Sequence, residues 1–456
     1  MMPRPPCLAL LSLLLLLPGC GREPARPDAE ARTADVPWRV SAWPLQVDAA
    51  AAQPDLIATP DGRVWLSWIT GEAGKYALRY AVADRDGRWP DPPQSIAVGQ
   101  DWFVNWADTP HLAVSADGAV WAHWLQKSAQ APYAYDVVLV RSPNGRAPWS
   151  APLKVNTDGG QSEHGFVSIW PEGADAVGVA WLDGRHSNSG EAGHGGGHGG
   201  GSGAGFGAMS LRSVRIGADL HRFDEVELDT MTCDCCQTDA AMTARGPLLV
   251  YRDRSQGEVR DIAVTRRDDE RGWTAPKPVH ADGWVMPACP VNGPSVSALG
   301  EAAVVAWYTA AGDTPTVQAA YSGDAGDRFA APLLLDRGEQ VQGRVETALS
   351  ADAAWVLWLR EDRSGQSLQL ARLAPDLSRE YQRIEVARLQ GRGRGTGFAQ
   401  MAVTGEAVHV VWTDYIGREA ALRGARIQPE ATVVSKGESN IAAGEITGSA
   451  SGTRSP

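Results

Sequence analysis

The chain has 456 residues, a formal charge of −12, and 50 glycines, 30 prolines and 18 tryptophans. The acidic balance argues against nucleic acid as a partner. Length allows two or three domains, but the Gly, Pro and Trp content comes with almost no long helical apolar period. That profile points to many short strands joined by tight turns.

A basic start, "MMPRPPC", leads into the apolar run of residues 8–17. Such a run is too short for a membrane-spanning helix, which needs ~20 residues, and reads as a secretory signal over residues 1–19. Its end, Leu17-Pro18-Gly19-Cys20, resembles the lipobox of bacterial lipoproteins. That resemblance implies lipid on Cys20 and attachment to a membrane, and Gly21 resembles the outer-membrane sorting pattern. The expected location is the cell envelope, lipid-anchored in the outer membrane and facing the periplasm or the surface. Residues 20–37, rich in charge, Pro and Ala, read as a tether.

Beyond the tether one phrase recurs, a turn followed by a short apolar strand ending in an aromatic residue. Its copies end at Trp68, Trp124, Trp181, Tyr251, Trp307, Trp358 and Trp412, spaced 56, 57, 70, 56, 51 and 54 residues apart. The one long interval holds the Gly/His-rich insertion at about 187–205, with His194 and His198 as further metal-ligand candidates in a low-complexity loop. Seven units of this length fit the four-stranded blades of a β-propeller. The expected fold is therefore all-β, a single propeller over residues 38–428, seven-bladed with six as the alternative. The last unit lacks its outer strand, and "WRVSAWPLQV" (38–47) supplies one, closing the ring without a free sheet edge. Residues 429–456 read as a disordered tail.

The turn between the third and fourth strands of unit five, "SGDAGDRF" (322–329), resembles the Asp box of sialidases. Weaker versions pair Asp84 with Trp89, Asn144 with Trp149, Asp268 with Trp273 and Asp376 with Tyr381. The carboxylate is expected to bond amides of its own turn while the aromatic packs between sheets. On these motifs the chain resembles the sialidase-like, BNR-repeat propellers over most of residues 38–427.

Propeller topology places the links between blades and the loops between second and third strands on one face, around the channel mouth. Most of the chemistry-bearing residues fall there. Four cysteines remain after the signal and Cys20: Cys233, Cys235, Cys236 and Cys289. In an oxidising compartment they predict two disulfides, one joining Cys235 or Cys236 to Cys289. The alternative is a soft-metal site for copper(I) or zinc, with Cys233, Cys235, Cys236 and Cys289 as thiolates and His164 as the imidazole. A redox-active pair is the third reading. His111 and His123 read as satisfied strand histidines.

The charged loops supply a candidate rim for an anionic ligand: Arg185, Arg252, Asp253, Arg254, Arg260, Asp261, Arg360, Tyr415 and Arg418. The sialidase resemblance implies three arginines holding a carboxylate, an Asp acid/base and a Tyr–Glu nucleophile pair. The Phe-Arg-Ile-Pro motif of that family is absent, and "QPDLIATP" stands in its place. The leading expectation is a lipid-anchored binding module for an anionic glycan or protein partner. The alternatives are a divergent exo-acting sialidase-like glycosidase and an interaction scaffold with structural disulfides.

Overall fold

The computed structural model describes residues 36–430 except 73, 188–207, 269 and 406. The expected signal, Cys20, nearly all of the tether and of the tail, His194 and His198 lie outside the described residues. No helix among the described residues is long and apolar enough to cross a membrane.

The described strands form seven antiparallel sheets. Six are consecutive meanders, at residues 52–100, 112–154, 164–229, 239–278, 295–337 and 341–388. The seventh comprises Gln400–Thr404, Ala407–Ile416 and Glu419–Pro429, and its outer strand is Trp38–Ala42 from the other end of the chain. The fold is a seven-bladed β-propeller. The closing strand is shorter than its sequence suggests: the Trp43 amide still bonds the Gly424 carbonyl of the paired strand at 2.9 Å, but Pro44 follows with no amide hydrogen to continue the ladder, and the Trp43 ring stacks on Trp89 at 4.9 Å. The outer edge of blade 4 is broken into two short pieces, Gly272–Trp273 and Lys277–Pro278, with two prolines (Pro276, Pro278) in and beside the second.

The repeated aromatics explain why the blades stack. Trp68, Trp181, Tyr251, Trp307 and Trp358 are fully buried on the second strands. Each such ring contributes roughly 1.5–3 kcal/mol by leaving water. Their polar ends are satisfied by acids. Trp307 donates to Asp282 and Trp358 to Asp336, both at 2.7 Å, and each acceptor belongs to the preceding blade or its exit link. Tyr251 donates in the same way to Asp229 at the end of blade 3.

On the face opposite the links, the turn carboxylates act locally. Asp84 accepts the amides of Asp86 and Arg88, Asp324 that of Arg328, and Asp376 that of Ser378. Two of the motif aromatics pack between blades, Trp149, which follows Asn144, against Tyr80, and Trp273, which follows Asp268, edge-on to Trp170.

At the other end, three inner strands begin with a bulge whose residue has a left-handed backbone. These are Gln53, Phe166 and Arg344, at φ 53°, 52° and 52°. Bulges re-aim side chains, and here they sit at the channel mouth.

Candidate functional site: the channel mouth and waist

The segment Cys233–Asp239 leads into the inner strand of blade 4. It is not extended. A turn at Asp234–Cys235 brings Cys233 to Cys236, and these two form one disulfide. Cys235 is bonded to Cys289 on the next link, 54 residues away. Cys233 and Cys236 are buried, whereas Cys289 is exposed. The sulfurs of Cys233, Cys235 and Cys236 lie within 4.8 Å of one another, the only such convergence of three His, Cys, Asp or Glu ligands among the described residues.

The residues that follow tie blade 4 to three others. The Gln237 amide donates to the Ala107 carbonyl at 2.7 Å and accepts the Gly293 amide at 2.9 Å. Gly293 must be glycine here, since a Cβ would lie 2.2 Å from the Gln237 carbonyl oxygen. Thr238 donates to the Phe166 carbonyl, and Asp239 accepts the Val296 amide at 2.7 Å.

His164 does not join the sulfurs. It is fully buried, with Nδ1 donating to the Tyr135 carbonyl at 2.9 Å and Nε2 facing Asp158 at 3.1 Å. Both nitrogens are thus occupied where the metal reading needs one free. His111 and His123 also differ from expectation. His111 precedes its strand, lines the channel and pairs with Asp55 at 2.9 Å. His123 is fully buried with no partner on either nitrogen, and burial holds it well below the usual imidazole range.

The rim arginines are largely committed inside the protein. Arg252 is 1% exposed and donates to the carbonyls of Asn292, Arg260 and Tyr308, its guanidinium lying 4.9 Å from the Trp284 ring centre. Burial pulls it down to about 9. Arg260 is also buried and pairs with Glu258 at 2.8 Å, while Arg254 bridges Asp234 and Glu258. Arg185 holds Asp183 at 2.7 Å and Arg360 faces Asp336 at 3.4 Å. Asp261 accepts the amides of Gly283 and Trp284. Burial, then the nearby Asp229, pushes Asp253 up to about 6. Tyr415 packs its ring against Gly395, and Arg418 is exposed on the turn beyond it.

Sequence reasoning missed Arg344, which crosses the mouth. It donates to Thr396 and to the Gly397 carbonyl, and lies 4.9 Å from the centre of Trp106, whose ring stacks on Phe398. It also missed a group between blades 2 and 3. The Tyr135 hydroxyl donates to Glu163 at 2.7 Å. Asp108 accepts the Phe166 amide with one oxygen, and its second oxygen is buried without a partner. Burial raises Asp108 to about 7 and Glu163 to about 8. Tyr135 itself is fully buried.

Deeper in the channel, a polar residue at the same position of every blade lines a common cavity of about 180 Å³, which Thr109, Gln237 and Thr238 also line: Asp55, His111, Ser168, Asp239, Ser295, Glu346 and Gln400. The signal was present, since each stands 12 or 13 residues before the anchor aromatic of its blade.

No family model matches the chain, and no curated protein matches it. Among solved structures, a protein of unknown function from Dyadobacter fermentans is 13% identical, covering 86% of this chain and 99% of its own, with a TM-score of 0.48. The phage phi92 endosialidase is 11% identical over 92% of this chain and 72% of its own, also at 0.48. A polysaccharide lyase is 8% identical over 85% and 92%, again at 0.48.

Proposed function

We propose that this chain is a lipid-tethered binding module of the cell envelope whose channel mouth is braced by two disulfides. The observation that carries this reading is the Cys233–Asp239 segment. Its cysteines are paired within the segment and to Cys289, and its next three residues bond blades 2, 3 and 5. A mouth fixed in this way presents a pre-formed polar surface, which lowers the ordering cost of binding. Five of the six candidate arginines are spent on internal partners, which leaves Arg418 as the exposed cation for an anionic glycan or protein partner. A copper(I) or zinc site on Cys233, Cys235 and Cys236 requires the reduced chain, because a disulfide sulfur is not a thiolate. Binding and turnover should be measured together on neutral and acidic glycans. Saturable binding without product supports the module; product formation overturns it.

A second reading, a divergent sialidase-like glycosidase, is favoured by one observation, the Tyr135–Glu163–Asp108 group. Carboxyls raised to about 7 and 8 are protonated near neutral pH, the state of a general acid. The burial of Tyr135 weighs against its serving as a nucleophile. Turnover of a sialoside reporter that disappears in Glu163→Gln would establish this reading; absence of turnover removes it.

A further inference from the structure

The two disulfides of the mouth differ in access. Cys233 and Cys236 are 0% and 1% exposed, whereas Cys289 is exposed on the link into blade 5. A thiol reductant in solvent therefore meets the Cys235–Cys289 bond first, because exchange requires attack on a reachable sulfur. The sulfur of Cys235 lies within 4.8 Å of those of Cys233 and Cys236. The exposed bond thus ends beside the buried one.

The two ends of the exposed bond are held unequally. On one side, the Thr232 amide donates to the Met209 carbonyl at 2.9 Å and the Cys233 amide to the Arg252 carbonyl at 3.0 Å. Cys235 packs on the apolar cluster that contains Phe166, Met209 and Tyr251. On the other side, the Met286 amide donates to the Glu258 carbonyl at 2.8 Å, and the Asn292 carbonyl accepts Arg252 at 2.8 Å. Between those two anchors, none of Pro287, Ala288, Cys289, Pro290 and Val291 makes a hydrogen bond among the described residues. Val291 packs on the same cluster as Cys235, which leaves the exposed stretch around Cys289 held by its disulfide. Once that bond opens, Cys289 is free to move off and Cys235 stays beside the buried pair.

We propose that Cys235 is a relay thiol, passing reducing equivalents from a dithiol in solvent to the buried Cys233–Cys236 pair. One thiolate of the dithiol attacks the Cys289 sulfur, forming a mixed disulfide and releasing Cys235 as a thiolate. The second thiol of the reductant then attacks the mixed disulfide, releasing Cys289 and leaving the reductant as its own disulfide. Cys235 attacks the Cys233 sulfur, a Cys233–Cys235 bond forms, and Cys236 leaves as a thiolate. Two electrons pass from the dithiol to the protein, and its two protons end, through water, on Cys236 and Cys289. Cys233 is the sulfur attacked, for a geometric reason. Bonding Cys235 to Cys236 would span a single peptide unit, about 3.8 Å between Cα atoms, below the range of roughly 4.4–6.8 Å that a disulfide takes. The relay rests on the same two disulfides as the braced mouth.

Thiol mapping of the folded full chain, treated with one equivalent of dithiothreitol, quenched with acid and then alkylated, tests the relay. Alkylation is expected at Cys236 and Cys289. Alkylation at Cys235 and Cys289, with Cys233 and Cys236 still joined, would overturn it. Two single variants lose the same bond between blades, and so share any loss of rigidity. Cys289→Ser keeps the relay thiol and is expected to show a thiol at Cys236 before any reductant is added. Cys235→Ser lacks it, and its buried pair is expected to open to dithiothreitol about tenfold more slowly than that of Cys289→Ser. Equal rates in the two variants would also overturn the relay. Thiols in the untreated parent would defeat the pairing itself, an outcome distinct from a failure of transfer in a fully paired chain.

Discussion

The two faces of this propeller use the same residue types in opposite ways. On the far face, acids serve their own turns. Hydrogen bonds from Ser378 hold Asp376 below the ordinary carboxyl value, and the amide of Glu270 does the same for Asp268. At the mouth and waist, several acids that lie in dry surroundings are pushed up, Asp108 to about 7, Glu163 to about 8 and Asp239 to about 6, while Asp183 and Glu258, which are paired with arginines, end below the ordinary value. The far-face turn acids Asp84, Asp268, Asp324 and Asp376 bond amides of their own turns, whereas Asp55, Asp108 and Asp239 bond amides of the next blade. A local turn needs no help from the rest of the molecule, whereas the near face holds its shape only while the ring is closed and pinned.

Breaking the longest-range link should have the largest effect. Cys235→Ser with Cys289→Ser opens a bond between residues 54 apart and is expected to cost about 4 kcal/mol in chemical denaturation. Next, Arg252→Ala removes the donor from three carbonyls and the cation from over Trp284, for a loss on the order of 3 kcal/mol. Cys233→Ser with Cys236→Ser opens a loop of only three residues' separation and should cost about 2 kcal/mol.

The raised acids sharpen the comparison through pH. Asp108 has a folded value of about 7 against an ordinary 3.8, so folding favours its protonated form. Its contribution is fully present below 3.8 and is lost as pH rises towards 7. Asp108→Asn should therefore flatten the decline in melting temperature between about pH 4 and 7. On the far face, Asp376→Ala removes local bonds to Ser378. It should lower stability by about 1 kcal/mol or less and leave the pH profile above 5 unchanged.

The fold was legible because its signal repeats. Seven aromatics at a steady interval located the second strands, and the incomplete last unit located the closure at Trp38–Ala42. The waist ring follows the same interval but varies among Asp, His, Ser, Glu and Gln, so no single letter marks it. Loop chemistry was readable in type and not in direction. Arg252 looks like a rim cation in sequence, yet Trp284 and three carbonyls draw it inside. His164 lies near the right link, but its ring turns to Tyr135 and Asp158. The pairing of Cys233 with Cys236 depends on a turn at Asp234–Cys235, which the crowding of cysteines alone does not reveal.

Free thiols and bound metal, counted together on protein purified under oxidising conditions without chelator, test the disulfide-braced mouth most directly. The account predicts no reactive thiol among Cys233, Cys235, Cys236 and Cys289, and no stoichiometric copper or zinc. Free thiols accompanied by one equivalent of either metal would contradict it and assign the cluster to a soft-metal site.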